Sequence, residues 1–308
     1  MQERFKVRIA PHIFSRVNVS TMMRDVLIAL FPAILFSVYL WGVRAVYVYA
    51  VAVFGAVSSE WVILKIRKKH FVNDLSAILT GVLFAMTMPP GIPLFYVFVG
   101  VSFGIIFGKQ LFGGLGQNIF NPALLGRVFL MASFPVAMTS WISPLDAVTS
   151  ASPLGAWKFS GEMWETSKIF MGNCPGSIGE TSSLLLSLGG IFLIVRKTID
   201  WRIPLSYIGS VFVLSGIRYL FSPAAGSPVF HIFAGGLMLG AFFMATDPVT
   251  SPASFKGRFI FGSGCGLFTL FIRYFSGYPE GVMFSILLMN AFSPLIERMS
   301  PPKPFGTK

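Results

Sequence analysis

Ten runs of apolar residues constrain this chain more than any other feature. They are separated by charges, glycines or prolines and fall at about 26–43, 45–65, 75–88, 92–108, 119–141, 182–195, 203–221, 230–246, 258–275 and 281–297. A helix needs about 20 apolar residues to cross a bilayer's hydrocarbon core, and only the third and sixth runs fall well short of that. Charged residues make up 12% of the 308, half the share of about 25% in soluble domains. The predicted fold class is an all-α integral membrane protein of about ten transmembrane helices.

The net charge of +12 would suggest nucleic acid in a soluble protein. Here the basic residues sit in short connections, where they set membrane orientation, and no nucleic-acid partner is expected. With the N-terminus in the cytoplasm, that side receives Arg4, Lys6, Arg8, Arg16, Arg24, Lys65, Arg67, Lys68, Lys69 and Lys109. Arg196, Lys197, Arg202, Lys256, Arg258, Arg298, Lys303 and Lys308 join them, making 18 of the 24 Lys and Arg. Arg44, Lys158 and Lys168 fall on the other side. The bias predicts both termini inside and an even number of spans. The first 25 residues carry no apolar stretch of the kind a cleaved secretion signal needs, so none is expected.

The two halves resemble each other. Met86-Thr87-Met88-Pro89-Pro90 closes the third run and Met244-Ala245-Thr246-Asp247-Pro248 the eighth. Each is followed by one more run and then by Asn-x-Phe-x-Pro, as Asn118-Ile119-Phe120-Asn121-Pro122 and Asn290-Ala291-Phe292-Ser293-Pro294. Five spans per half is odd, so the repeats must run in opposite directions through the membrane, as in many transporters with broken helices. The organisation expected is a cytoplasmic segment 1–25, a first repeat 26–141, an external loop 142–181, a second repeat 182–297 and a cytoplasmic tail 298–308.

Cys174 and Cys265 form no metal-binding spacing, and His12, His70 and His231 are dispersed, so no metal site is expected. Glu60, Arg127, Asp247, Arg273 and Glu280 lie within or beside apolar runs, where ionisable groups are costly and face a cavity or one another. Asp247, at the repeated break, is the best ion-pathway candidate, with Glu280 second; Glu60, near Lys65, is expected close to the surface. The external loop carries Asp146-Ala147-Val148-Thr149-Ser150-Ala151-Ser152-Pro153. Taken alone it reads as a polar turn. It also offers solvent-exposed hydroxyls, the groups needed to form a phosphoester.

Several stretches resemble the family that contains the D subunit of the Rnf complex and the B subunit of the sodium-pumping NADH:quinone oxidoreductase. They are Gly113-Gly114-Leu115-Gly116-Gln117-Asn118-Ile119-Phe120-Asn121-Pro122-Ala123-Leu124, Gly172-Asn173-Cys174-Pro175-Gly176-Ser177-Ile178-Gly179-Glu180-Thr181, Ala245-Thr246-Asp247-Pro248-Val249 and Tyr278-Pro279-Glu280-Gly281. The short segment before the first run is more like the Rnf branch. The resemblance implies FMN joined through its phosphate to a hydroxyl in a pattern like Asp-x-x-Ser/Thr-Gly-Ala-Thr. On this chain Asp146 opens the pattern and Ser152 holds the acceptor position, with Ser for the usual Thr and Ser150 for the Gly; Thr149 is the alternative acceptor. It also implies non-covalent riboflavin near Asn118 and Asn121, whose amides offer both a donor and an acceptor. Asn121 can equally cap a helix opened by Pro122.

The resemblance further implies a bacterial or archaeal cytoplasmic membrane, other Rnf subunits including an external flavin-bearing one, a flavin transferase, and lipid as partners. The expected role is electron relay between ferredoxin and NAD coupled to Na+ or H+ movement. No dinucleotide-binding unit and no cluster ligands occur, so the chain is not catalytic alone. An inverted-repeat channel or transporter, and a scaffold without flavin, are the rival readings; the loop at 146–152 discriminates, since a pure transporter has no use for it.

Overall fold

A computed structural model describes residues 18–69, 74–142, 150–180 and 182–301. Helices α1 (Val19–Trp41) and α2 (Val43–Ile66) turn tightly at Gly42, followed by the short α3 (Ser76–Met86) and α4 (Leu94–Phe103). A π-helical segment, Gly104–Gln110, prolongs α4. Next come α5 (Pro122–Ser133) and the single turn α6 (Pro135–Thr139). The connection between halves holds α7 (Pro153–Gly155), which runs on as Ala156–Ser160, and α8 (Thr166–Met171). The second half contributes α9 (Ser183–Val195), α10 (Arg202–Phe221), α11 (Pro228–Phe233), α12 (Leu237–Leu239) with its π-helical extension Gly240–Met244, α13 (Phe255–Phe275) and α14 (Val282–Met299).

Every one of the ten apolar runs is helical, but not every one is a full span. Among the described residues five helices, α1, α2, α10, α13 and α14, are long and apolar enough to cross a membrane. A sixth crossing is made if Pro223–Phe233 and Leu237–Met244, bent by 46° at their junction, count as one. With 11 residues, α3 reaches only about 16 Å at 1.5 Å per residue, roughly half of the 30 Å hydrocarbon core. Runs of apolar residues report burial, and a half-helix buried among its neighbours is as apolar as a lipid-facing one.

The short helices are held by capping and by glycine contacts. Asn121 Oδ1 accepts from the Ala123 and Leu124 N–H groups at the start of α5, and Ser182, Ser227 and Ser254 cap α9, α11 and α13 likewise. At the far end of α3, the Ile178 and Gly179 N–H groups donate to the Met88 and Met86 carbonyls at 2.9 and 2.8 Å. The 172–180 loop thus enters the bundle and satisfies a helix end that lipid could not. Helices α2 and α10 carry their halves, α2 packing on α3 and α4, α10 on α11 and α13. The halves join through α1 on α9 and α5 on α14.

The close approach of α5 to the π-helical segment depends on Gly104, where an added Cβ would lie 2.3 Å from the Pro122 carbonyl oxygen. Backbone cannot yield as a side chain can. Gly104→Ala is expected to destabilise the bundle by about 1–3 kcal/mol, seen as a lower unfolding midpoint in detergent; an unchanged midpoint would show that the helices separate freely.

The two Asn-x-Phe-x-Pro motifs meet but do different work. The first opens α5; the second lies inside α14, with Pro294 in the helix interior. Asn290 Oδ1 accepts from the Asn121 N–H at 3.3 Å, and Asn290 Nδ2 donates to the Thr250 carbonyl. Expectations for two charged residues also change. Lys109 is no loop residue on the orientation side: it is buried and paired with Glu60 at 2.6 Å. Glu60 is accordingly buried rather than near the surface, because the π-helical segment turns Lys109 inward to meet it.

Candidate functional site

The sequence-predicted residues fall into two groups at separate cavities. Asn118, Asn121 and Asp247 line the larger, which encloses about 750 Å³ including space open to solvent. Ser152 and Glu280 line the smaller, of about 320 Å³. Thr149 and Asp146 lie outside the described residues. A cleft lined by Thr87, Leu124, Arg127, Glu180, Met244 and Glu280 sits beside the smaller cavity and shares both glutamates with it.

Mostly apolar walls enclose the larger cavity, among them Met23, Leu79, Leu83, Phe242 and Phe243, with a few polar groups converging on it. That is the usual make-up of a small-molecule site. Both halves supply π-helical backbone to its wall. Lys109 lies on Gly104–Gln110, and Phe242 and Phe243 lie on Gly240–Met244. Such segments widen a helix by a residue and recur at functional sites.

Asn121 is engaged by protein on both sides of its amide: Oδ1 caps α5, and Nδ2 donates to the Met244 carbonyl at 3.3 Å. Its role visible in the structure is the cap. Asn118 differs. Its Nδ2 makes a long 3.4 Å bond to the Phe120 carbonyl, and its buried Oδ1 accepts from no protein group among the described residues. An orphaned buried acceptor beside an apolar cavity fits a planar ligand with an N–H edge. Asp247 accepts from the Val249 N–H and the Thr250 hydroxyl, both at 3.3 Å, and pairs with no cation among the described residues.

At the smaller cavity, the sequence leads one to expect an exposed hydroxyl, and the structure corrects this. Ser152 is only 3% exposed. Its Oγ accepts from the Gly155 N–H at 3.2 Å, capping the turn that Pro153 opens. The capped side chain lines a pocket whose wall also includes Cys174, Phe233 and Gly235. Its hydroxyl is chemically suited to a phosphoester, but the cap holds it away from solvent.

Cys174, beside Ser152, is not poised for chemistry. Burial, with the nearby Glu180 carboxylate second, pushes its thiol up to about 12, so thiolate is scarce at neutral pH. It is expected to resist iodoacetamide at pH 8 in the native protein and react after denaturation. Native alkylation at the denatured rate would show that the loop opens.

The strongest electrostatic feature joins Arg127 and Glu280, two of the ionisable groups expected to face a cavity or one another, to Glu180, which the sequence did not single out as ionisable. Arg127 Nη1 donates to Glu180 Oε1 at 3.0 Å and Nη2 to Glu280 Oε2 at 2.6 Å, with Arg127 and Glu180 buried and Glu280 partly so. Glu280, an ion-pathway candidate, is thus held in an ion pair and lies at a different cavity from Asp247. Arg273 offers a second positive charge close by, its guanidinium donating to the His231 and Ala234 carbonyls. Gly236 lets Glu180 approach, since a Cβ there would fall 2.4 Å from its Oε1. The one sequence signal for Glu180 was its place in the family-like loop.

Comparison with known proteins accounts for nearly the whole chain. Residues 6–306 match the NQR2, RnfD, RnfE family. The chain belongs to that family. It is 46% identical to the D subunit of the proton-translocating ferredoxin:NAD(+) oxidoreductase complex of Clostridium ljungdahlii, over 99% of this chain and 97% of that one. Identity to the D subunit of the Na(+)-translocating ferredoxin:NAD(+) oxidoreductase complex of Acetobacterium woodii is 44%, over 97% and 95%. The D subunit of the ion-translocating oxidoreductase complex of Stutzerimonas stutzeri is 38% identical, over 94% and 93%. These family members match end to end, so the buried clusters above lie within the shared region.

Proposed function

We propose that the chain is the D subunit of an Rnf-type complex, a membrane component relaying electrons between ferredoxin and NAD while Na+ or H+ crosses the bilayer. The observation that carries this is the end-to-end match to two such subunits at 46% and 44% identity. Apolar helices in a membrane-complex family agree with a multi-pass protein, here assigned to the bacterial or archaeal cytoplasmic membrane. The paired helix breaks, and the packing of α1 on α9 and α5 on α14, support two five-helix repeats of opposite direction. The Lys and Arg bias, 17 of 24 without buried Lys109, supports cytoplasmic termini.

In this reading FMN is attached through its phosphate to Ser152, or to Thr149, by a flavin transferase, on the outer side where another flavin-bearing protein of the complex docks. Riboflavin occupies the larger cavity without a covalent bond. The flavins supply the redox chemistry when bound. The chain's own residues hold them apart at fixed places, Asn118 offering its free acceptor in the larger cavity and the Arg127 cluster lying beside the Ser152 pocket. Asp247, at the helix break and paired with no cation among the described residues, is the candidate for the ion pathway.

A tagged copy of the chain, expressed in a host lacking its own, tests the reading. It is expected to co-purify with further subunits and restore ferredoxin-dependent NAD reduction to membranes. Membranes that keep that activity without the chain would overturn it. Within the site, Asn118→Ala is expected to lose most extractable riboflavin while covalent flavin stays. Asn121→Ala is expected to cost about 0.5–2 kcal/mol of stability as a lost cap. Full retention of riboflavin by a well-folded Asn118→Ala would refute its placement.

A further inference from the structure

Lys109 is a buried ammonium group whose surroundings account for only part of its bonding. It is 2% exposed, lies at the end of a π-helical segment and lines the larger cavity. Its Nζ donates to Glu60 Oε1 and to Ser76 Oγ, both at 2.6 Å. An ammonium carries three donors, and the third has no partner among the described residues. Asp74 Oδ1 accepts from the Ser76 hydroxyl at 2.5 Å, and Gln110 Nε2 donates to Glu60 at 2.7 Å. These bonds fix both residues that fix Lys109. The same cavity holds Asn118, 6% exposed, with its unpartnered Oδ1.

A cavity walled by apolar side chains therefore presents one spare cationic donor and one spare acceptor. The complement is a planar heterocycle whose rim carries a carbonyl acceptor and an N–H donor, the pattern of a cyclic imide. We infer that Lys109 is the positioning residue for the polar edge of the ring held in this cavity, and that its charge favours the reduced, more negative form of that ring. The inference rests on the reading of the cavity as a non-covalent flavin site. It adds which residue holds the ring and sets its potential. Glu60 is the counterweight. In a site shielded from water its negative charge offsets Lys109, so removing either partner must move the potential in opposite directions.

The test uses the complete complex purified with this chain, reading extractable riboflavin and its midpoint potential by spectroelectrochemical titration. Lys109→Met alone leaves Glu60 buried and unpaired, so the informative variant is the double Lys109→Met/Glu60→Gln, compared with Glu60→Gln. Relative to Glu60→Gln, the double variant is expected to bind reduced riboflavin about tenfold more weakly against the oxidised form. For a two-electron couple that lowers the midpoint by about 30 mV. Glu60→Gln is expected to raise it. An unchanged potential at either step, wild type to Glu60→Gln or Glu60→Gln to the double variant, or shifts of the same sign at both, would overturn the inference while riboflavin is still bound. Wild-type complex with covalent flavin but no extractable riboflavin would overturn the cavity reading, and the inference with it.

Discussion

Arg127→Met is expected to destabilise the protein by about 3–5 kcal/mol, the usual cost of stripping one partner from a buried ion pair. The effect belongs at the large end because one guanidinium serves two carboxylates, Glu180 at 3.0 Å and Glu280 at 2.6 Å, with Arg127 and Glu180 buried and Glu280 mostly so. Methionine keeps most of the volume, so packing loss is minor and the penalty is two uncompensated charges. The triple variant Arg127→Met/Glu180→Gln/Glu280→Gln removes those charges together and is expected to recover most of the loss. Heating in detergent, followed by size-exclusion chromatography, measures the surviving folded fraction. If single and triple variants fall equally, the cluster acts through shape and the electrostatic account fails.

Ser152→Ala is expected to remove covalent flavin completely, read as loss of fluorescence on a denaturing gel. Ser152→Thr is expected to keep or raise it, and Thr149→Ala to leave it. The basis is chemical: a phosphoester needs a hydroxyl, and Ser152 stands at the acceptor spacing from Asp146. Its burial at 3% and its bond to the Gly155 N–H add a second expectation. The transferase must meet the segment before the 153–160 helical turns close over it, so folded, flavin-free protein should be labelled far more slowly than the nascent chain. Peptide mass spectrometry finding FMN on Thr149 would move the attachment by three residues. Finding none between 142 and 181 in protein made with its partners would leave the scaffold or transporter reading.

Reading apolar runs found helix in all ten because burial, in lipid or in protein, requires the same residues, but it read the short α7 and α8 as loop. It could not tell α3 from a full span, since Ser76–Met86 is buried by protein along nearly its whole length. The Asn121–Pro122 start of α5 was legible because cap and N1 proline are local chemistry. Lys109 and Glu60 were misplaced for the converse reason. They are far apart in sequence, and only the π-helical turn that rotates Lys109 inward brings them together. The Arg127 cluster depends on contacts 53 and 153 positions apart, beyond the reach of any local pattern.

The loop that satisfies the end of α3 also orders events during synthesis. Met86 and Met88 leave the ribosome long before Ile178 and Gly179, whose N–H groups their carbonyls accept. Until then those carbonyls need water or a chaperoning surface, because an unsatisfied peptide group in hydrocarbon costs several kcal/mol. The first five helices are therefore not a self-sufficient insertion unit. A chain stopped near residue 140 should stay sensitive to membrane proteases, and supplying the rest of the sequence, from residue 141 on, as a separate polypeptide should protect it.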